Sequence, residues 1–525
     1  MLPAVAVLLV AAIGASRLFD PFSGDQALFL VGAKTLHAGG VLYRDYWDIK
    51  QPGIFAFFLT AGTLFGFTQT GVHALDVLWQ TAFAVALVVG LRGALGDARW
   101  TAFAPLGVIG ATYAGSSPWH LLQVEELVGF PLFVCMWAAG VAVRGRSVSA
   151  GPTLVSGLAA GIVLLFKLVL APVVVAVTIA ITFRARGRSA AARPTRFWFI
   201  WLLGVLVPLA VYAVYAVRTG SFEIGMETTF AVPLQIAAFA PHAPLARLND
   251  SALRLLLYFR GIIVLAVIGA VTMRDRRMRS WRAACLAWIV SGLAVILAQA
   301  QSWWQYQFVL LIPPLGILAT FGVAFLGERV ARGRRAGLIA LAASGIVAYI
   351  AVPLPQGALG TILRIARERP FVSAAALERY RVATSTEYAG AVADAAPSIA
   401  GADRRPIYVF GNPLVYVLTN RPQAIAITSW ASYLDPPSIR ARRDNELAAA
   451  RPSAIFVLRD RSDEISSARS PLTATALARD YVEATQTTNG TWYNRRHQPA
   501  AAPKLMKRGA MVDGENAGPS RQRTR

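Results

Sequence analysis

Residues 24–52 read "GDQALFLVGAKTLHAGGVLYRDYWDIKQP" and follow directly on an apolar N-terminal segment. Four ionisable side chains, Asp25, Asp45, Asp48 and Lys50, stand here among aromatic residues. The preceding segment is apolar enough to enter a bilayer. The sequence therefore predicts a polar, aromatic loop that lies along a membrane surface and carries chemistry.

The composition of the whole chain is that of a polytopic membrane protein. Of its 525 residues 56% are hydrophobic and only 15% are charged, and the mean hydropathy is +0.51. A soluble chain of this length carries more charge. The formal net charge of +23 does not indicate a nucleic-acid partner, because the arginines fall mainly in short loops between apolar runs and in the tail. Cys135 and Cys285 both lie in apolar runs, which argues against a disulfide framework or a cysteine metal site.

The apolar runs predict about eleven transmembrane helices, with a break at Pro172 between the fifth and the sixth. The predicted spans are 2–17, 72–91, 100–116, 122–143, 153–169, 171–183, 197–217, 255–273, 282–299, 306–326 and 336–353. Every second loop is rich in arginine, which predicts an N-terminus inside and a C-terminus outside. The opening "MLPAVAVLLVAAIGAS" lacks a basic start and is expected to be a retained first span.

The predicted organisation has three parts. Residues 1–355 form a transmembrane domain, whose first outer loop, 18–71, contains two helix-like stretches, 25–38 and 53–67. Residues 365–497 form a small extracytoplasmic α/β domain with strands at "PIYVFG", "AIAITSW" and "SAIFVLRD". Residues 498–525 form a disordered basic tail. In a bacterium this topology places the protein in the cytoplasmic (inner) membrane, with these outer regions on the extracytoplasmic face.

Asp25 is the leading candidate for a catalytic residue. It follows a span and precedes an interfacial helix, so it stands where the headgroup of a lipid-linked ligand would lie, in reach of a hydroxyl proton. An alternative is that "SGDQALFL" begins a helix that Ser23 or Asp25 caps.

The stretch from Asp45 to Lys50 is a candidate binding site for a sugar. Aromatic rings stack on the C–H faces of sugars and carboxylates accept hydrogen bonds from their hydroxyls. The candidate substrate-binding residues here are Asp45, Tyr46, Trp47, Asp48 and Lys50. An interfacial aromatic belt with solvated charges is the alternative.

Two further groups of candidates lie at predicted outer ends of spans. Glu125 and Glu126 open the fourth span, and Lys167 lies inside the apolar run of the fifth. Ionisable residues at such places are costly without a partner, which favours a function. A helix N-terminus can also stabilise the acids, and Lys167 can snorkel to the headgroups. Gln305 and Tyr306 begin the tenth span, where an aromatic belt also explains the neighbouring tryptophans.

Several of these stretches, in this order, resemble the C-type superfamily of membrane glycosyltransferases. The most similar branch is that of the protein O-mannosyltransferases and the aminoarabinose transferase of lipid A. The first loop "GDQALFLVGAKTLHAGGVLYRDYWDIKQPG" is similar to the family's acidic first-loop motif. "GLAAGIVLLFK", "WWQYQFVLLIPPLGILA" and "RPIYVFGNPLVYVLTNRPQA" resemble its later segments. Two departures are Gln26, where Glu is common, and Gln51-Pro52 in place of a double proline.

The resemblance implies an inverting transfer of a hexose or pentose from a polyprenyl-phosphate donor to a lipid, glycan or protein acceptor of the envelope. Asp25 would be the general base and Lys167 would neutralise the leaving phosphate. Asp45 and Glu125 or Glu126 would orient hydroxyls, and Gln305 or Gln307 replaces a common His. Some relatives bind a divalent metal near such acids, although no spacing here indicates a metal site.

Two other functions are compatible with the sequence. A transporter usually shows internal repeats and broken helices near the midplane of the membrane, whereas the polar residues here gather at outer helix ends. A catalytically inactive envelope-assembly protein with the same fold is the other alternative.

Overall fold

Long apolar helices dominate the described part of the chain. The structure, a computed structural model, describes residues 1–95, 97–145, 147–185, 194–273, 276–333, 353–401 and 403–496. Within these ranges seven helices are long and apolar enough to cross a bilayer: Leu2–Phe19, Gln69–Arg92, Val124–Ala142, Thr195–Arg218, Leu245–Thr272, Met278–Ala298 and Gln305–Ala331. Seven of the predicted spans thus correspond to long apolar helices, while the full count of eleven stays a prediction.

Three further predicted spans are helical in the structure but do not belong to these seven. The predicted span 100–116 consists of four consecutive helical segments of 3-10, α, π and α type: Ala98–Ala102, Phe103–Pro105, Leu106–Gly110 and Ala111–Gly115. The predicted spans 153–169 and 171–183 are helices Ala150–Phe166 and Ala171–Ala185. The helix breaks at Lys167, since the ring of Pro172 would clash with the preceding turn. Residues 336–352 of the predicted eleventh span lie outside the described residues, and Pro353 begins helix Pro353–Glu368.

Small residues bring the spans close together. Helix Ala150–Phe166 crosses helix Pro194–Arg218 at Gly157 and Gly204, where a Cβ on either glycine would collide with the facing backbone. Small residues at such crossings are typical of helix packing in membranes. The same helix Pro194–Arg218 leaves Leu202, Leu203, Leu206 and Val207 exposed, as expected for a surface that faces lipid.

The first loop, residues 18–71, contains two short helices packed on each other. Helix α1 (Leu2–Ser16) leads into α2 (Gly24–His37), and α3 (Pro52–Phe65) leads into α4 (Gln69–Arg92). The bounds of α2 and α3 agree with the predicted stretches 25–38 and 53–67. Phe29 of α2 packs edge-on against Phe55 and Phe58 of α3 at ring-centroid distances of 6.0 and 5.4 Å. This aromatic core fixes the start of α2, which carries Asp25.

Residues 374–496, which we call the C-terminal unit, form a small α/β structure. Its strands are β1 (Ile407–Phe410), β2 (Ala454–Leu458), β3 (Tyr481–Gln486) and β4 (Gly490–Arg495). They form one sheet in the order β1-β2-β4-β3, in which only the pair β1 and β2 is parallel. The helices of eight or more residues are Ala374–Thr384, Thr386–Ala400, Pro437–Ala450 and Pro471–Asp480.

One predicted strand is wrong and one hairpin was not predicted. Residues 424–430 form no strand, and the isolated bridge of this segment, at Ile427, pairs with Trp47 of the first loop. The β3–β4 hairpin was missed because β3 is mostly exposed and polar. The predicted tail, 498–525, lies outside the described residues.

Candidate active site

Asp25 lies in the first turn of α2, half-buried beneath the C-terminal unit. Ser23 is the N-cap residue of the helix, and its backbone N–H donates to Gln26 Oε1 at 2.6 Å. The Asp25 carboxylate therefore does not serve as the cap. Its Oδ1 accepts a hydrogen bond from Trp430 Nε1 at 2.7 Å.

Gln26, which stands where Glu is common in the family that the sequence resembles, connects α2 to the segment that leads to Glu125. Its fully buried amide nitrogen donates to the carbonyl oxygens of Pro118 and Leu121 at 2.8 and 2.6 Å. An ionised glutamate has no donor for these carbonyls. The amide therefore has a structural role that the family's usual acid could not fill.

Asp48 and Lys50 form the charged centre of the first loop. The buried Asp48 carboxylate accepts from the backbone N–H of Lys50 at 2.8 Å. Burial raises the pKa of Asp48 to about 6, although the charge of Lys50 opposes this shift. Burial lowers the pKa of Lys50, but the acidic groups around it raise that pKa above its ordinary value, so the ammonium stays protonated. Those groups include Asp25, Asp48 and Glu125.

The prediction that Asp45, Tyr46 and Trp47 form a sugar platform does not fit their positions. Asp45 is exposed, and its hydrogen bond to Arg44, at 2.9 Å, lowers its pKa. Tyr46 and Trp47 are 1% and 3% exposed, so almost no ring surface is available for stacking. The Tyr46 hydroxyl donates to Leu28 O and Trp47 Nε1 donates to Thr228 Oγ1. Both rings belong to the core that holds the loop.

Glu125 and Lys167 form an ion pair, with Lys167 Nζ and Glu125 Oε1 at 2.5 Å. Lys167 directly follows the last residue of helix Ala150–Phe166, close to the predicted end of the fifth span, and has an extended backbone conformation. Its ammonium group contacts Glu125, so snorkelling toward headgroups does not by itself explain its position. Glu126 points elsewhere, since its Oε2 accepts from the backbone N–H of Leu122 and Asp76 is its acidic neighbour.

Gln305 and Tyr306 face different parts of the molecule. Tyr306 is buried, packs edge-on against Trp119 at 6.0 Å and lies within electrostatic range of Lys50. Gln305 donates to Asp250 Oδ2 at 2.8 Å and lines a neighbouring pocket with His120. Burial lowers the pKa of His120 to about 4, so this imidazole is neutral near pH 7. Of the two, only Tyr306 joins the charged centre.

Sequence reasoning missed the contribution of the C-terminal unit. Trp430 binds Asp25, and Glu387 Oε1 accepts from the backbone N–H of Gly24 at 2.9 Å. Asp435 lies within electrostatic range of Asp48. The available signal was the aromatic and acidic stretch "SWASYLD", whose composition is like that of the first loop. Ser429 and Trp430, the first two residues of this stretch, are also the last two of "AIAITSW", which the sequence pattern predicted to be a strand.

Comparison with known proteins identifies the fold. No protein-family model and no curated protein matches the sequence. Among solved structures, ArnT from Cupriavidus metallidurans bound to undecaprenyl phosphate matches with a TM-score of 0.60 and 15% identity, over 93% of this chain and 97% of that chain. This chain shares the fold of ArnT. The apo state of the same ArnT gives the same values. The arabinofuranosyltransferase AftD from Mycobacteria matches 40% of its own length with a TM-score of 0.45.

The C-type glycosyltransferase fold raises the question of a divalent metal, which the resemblance implied for some relatives. Among the described residues, no group of three or more His, Cys, Asp or Glu side chains could hold a metal ion. Asp25, Asp48 and Glu125 lie around an ammonium group, which would repel a second cation. These residues do not fit a divalent ion.

Proposed function

We propose that this chain is an inverting glycosyltransferase that moves a sugar from a polyprenyl-phosphate donor to an envelope acceptor. The single observation that carries the proposal is the arrangement of Asp25, half-buried at the start of α2, within electrostatic range of the protonated Lys50. The fold match to ArnT, a protein solved with undecaprenyl phosphate, supports a lipid phosphate as the donor group.

Asp25 acts as the general base. One carboxylate oxygen is bound by Trp430, which leaves Oδ2 to take the proton of the acceptor hydroxyl. The acceptor oxygen then forms a bond to the anomeric carbon from the face opposite the phosphate. The bond from that carbon to the phosphate oxygen breaks, and its electron pair stays on the phosphate, so configuration is inverted through an oxocarbenium-like state.

Lys50 stabilises the leaving phosphate. Among the ion pairs of the described residues, Lys167 pairs with Glu125, and Lys50 belongs to none. The Lys50 ammonium lies 5.9 Å from the centroid of the Phe29 ring. Lys50 is therefore the better candidate for a cation that meets the charge developing on the phosphate. Lys167 instead holds Glu125 at the edge of the site, where that acid can bind a substrate hydroxyl. This assignment replaces the role that sequence resemblance implied for Lys167.

The arginine-rich loops support an orientation in which this site and the C-terminal unit lie on the extracytoplasmic face of the inner membrane. The donor headgroup would then sit at the level of the first loop, with its polyprenyl chain along the apolar helix surfaces. No nucleotide is needed, because the leaving group is already a phosphodiester of the lipid.

A donor panel tests the proposal. Purified protein in nanodiscs is incubated with envelope extract and each of several radiolabelled polyprenyl-phosphate hexoses and pentoses. We expect label from one donor to enter the extract in a time- and enzyme-dependent manner, with inverted anomeric configuration in the product. Transfer from none of the donors, by protein that is folded and inserted, would favour an inactive envelope-assembly protein.

The raised pKa of Asp48 predicts a pH-dependent affinity for the donor. As the pH falls through about 6, the Asp48 carboxyl gains a proton and loses its negative charge. The phosphodiester does not titrate in this range, so its attraction to the site increases. We expect the donor KM to fall about 3- to 10-fold between pH 7.5 and 5.5. This change corresponds to about 0.7–1.4 kcal/mol, the repulsion expected between two partly screened negative charges.

Asp48→Asn provides the matched control, because its amide oxygen still accepts from the Lys50 N–H. The variant should show the low-pH donor KM at every pH. A wild-type KM that stays flat, or a pH dependence retained in Asp48→Asn, would remove Asp48 from donor binding.

A further inference from the structure

We infer that Trp430 of the C-terminal unit is a positioning residue for Asp25, so that residues 429–435, here called the 429–435 segment, complete the active site. This inference rests on the proposed transferase function and extends it to a part of the chain to which the sequence assigned no role. Sugar transfer is then predicted to depend on the indole N–H of Trp430, which lies 405 positions from Asp25 in the sequence.

The contact between Trp430 and Asp25 is direct and closely packed. The indole Nε1 donates to Asp25 Oδ1 at 2.7 Å, and the ring lies so close to Gly24 that a Cβ there would collide with it. An indole N–H can donate but cannot accept a proton. Trp430 therefore fixes the orientation of the carboxylate and leaves the proton transfer to Oδ2.

Two other residues of the 429–435 segment lie within electrostatic range of groups in the site. Asp435 lies within electrostatic range of Asp48, and the half-exposed Tyr433 lies within range of Tyr306. The bridge between Ile427 and Trp47, just before the segment, brings its start against the first loop. The segment thus lies close to the general base Asp25, to the buried acid Asp48 and to Tyr306.

Buried ion pairs hold the segment from behind. Arg443 bridges Asp435 at 3.0 Å and Glu464 at 3.3 Å, and all three side chains are almost fully buried. Arg461 donates to Ser432 Oγ at 3.0 Å and to the Trp430 carbonyl at 3.4 Å. A network of this kind fixes the backbone that carries Trp430, which a mere surface contact would not require.

The test compares Trp430→Phe with Trp492→Phe. Phe keeps an aromatic ring at position 430 but removes the N–H donor and part of the ring volume, as the control substitution also does. Trp492→Phe removes a comparable indole hydrogen bond, to Asp394 O at 2.7 Å, inside the same unit and away from Asp25. We expect Trp430→Phe to lower kcat about 10- to 100-fold with the donor KM changed less than about 2-fold, as for loss of a hydrogen bond to a charged group. Trp492→Phe should lower thermal stability and leave kcat unchanged.

A second measurement does not depend on activity. In protein labelled with ¹⁵N-tryptophan, the indole resonance that is missing from Trp430→Phe should move in Asp25→Asn. Equal kcat for Trp430→Phe and wild type, or an unmoved indole resonance, would overturn the inference while leaving the transferase proposal intact. A wild-type protein that transfers no sugar would instead overturn the proposed function, and with it the catalytic meaning of this contact.

Discussion

Asp25→Asn should lower kcat for sugar transfer about 10²- to 10⁴-fold, the range over which a general base contributes. The asparagine side chain keeps an oxygen that can accept the indole N–H of Trp430, so the local structure should persist. It cannot take the proton of the acceptor hydroxyl, and the nucleophile then attacks unassisted. The measurement is single-turnover transfer from the donor that the panel identifies, with donor binding measured separately.

The first loop offers a matched control for Asp25. Asp45→Asn removes another acid of the same loop, one that is exposed and paired with Arg44. We expect this variant to transfer sugar at a rate within about 2-fold of wild type, because surface pairs of this kind contribute little. If the two asparagine variants lose activity equally, Asp25 has no special place in the chemistry. If Asp25→Asn is fully active, a water or another group must accept the proton.

The sequence predicted the parts of the fold that depend on long apolar patterns. The helix-like patterns of 25–38 and 53–67 predicted the two first-loop helices, which the structure has at Gly24–His37 and Pro52–Phe65. The predicted span 100–116 is helical from residue 98 to residue 115, but hydropathy does not register the change of helix type after Pro105. Chemistry was correctly sought near α2, since ionisable groups beside a membrane are rarely incidental.

Partners across long sequence distances could not be predicted. Residue types alone made Lys167 the natural cation for a phosphate, and only the structure reveals that Glu125 already holds it at 2.5 Å. Tyr46 and Trp47 have the composition of a sugar platform, but their neighbours Leu28 and Thr228 use their polar atoms and bury their rings. Trp430 belongs to a separate part of the chain, and no periodicity or spacing relates it to Asp25.

Replacement of Lys50 is the second change with a large expected effect. Lys50→Met should lower kcat/KM about 10²- to 10³-fold, because the charge on the phosphate grows as the sugar leaves and an ammonium stabilises it most in the transition state. Lys50→Arg keeps the charge and should recover part of this loss, although the fork of a guanidinium does not reproduce a point charge. Steady-state kinetics with the identified donor measures both variants, and Lys34→Gln, a lysine bonded to Asn420 at the far end of α2, is the control.

Lys50 and Lys167 can be told apart by what each removal does to the fold. Lys167→Met leaves the Glu125 carboxylate buried without its partner, which should destabilise the protein by about 3–5 kcal/mol. The double variant Lys167→Met with Glu125→Gln removes both charges and should recover most of that stability. Lys50→Met breaks no direct ion pair within the described ranges, and Asp48 can take up a proton once the charge of Lys50 is removed, so its loss of stability should be smaller than that of Lys167→Met. If the folded double variant loses transfer while Lys50→Met retains it, then Lys167, and not Lys50, is the cation that meets the phosphate.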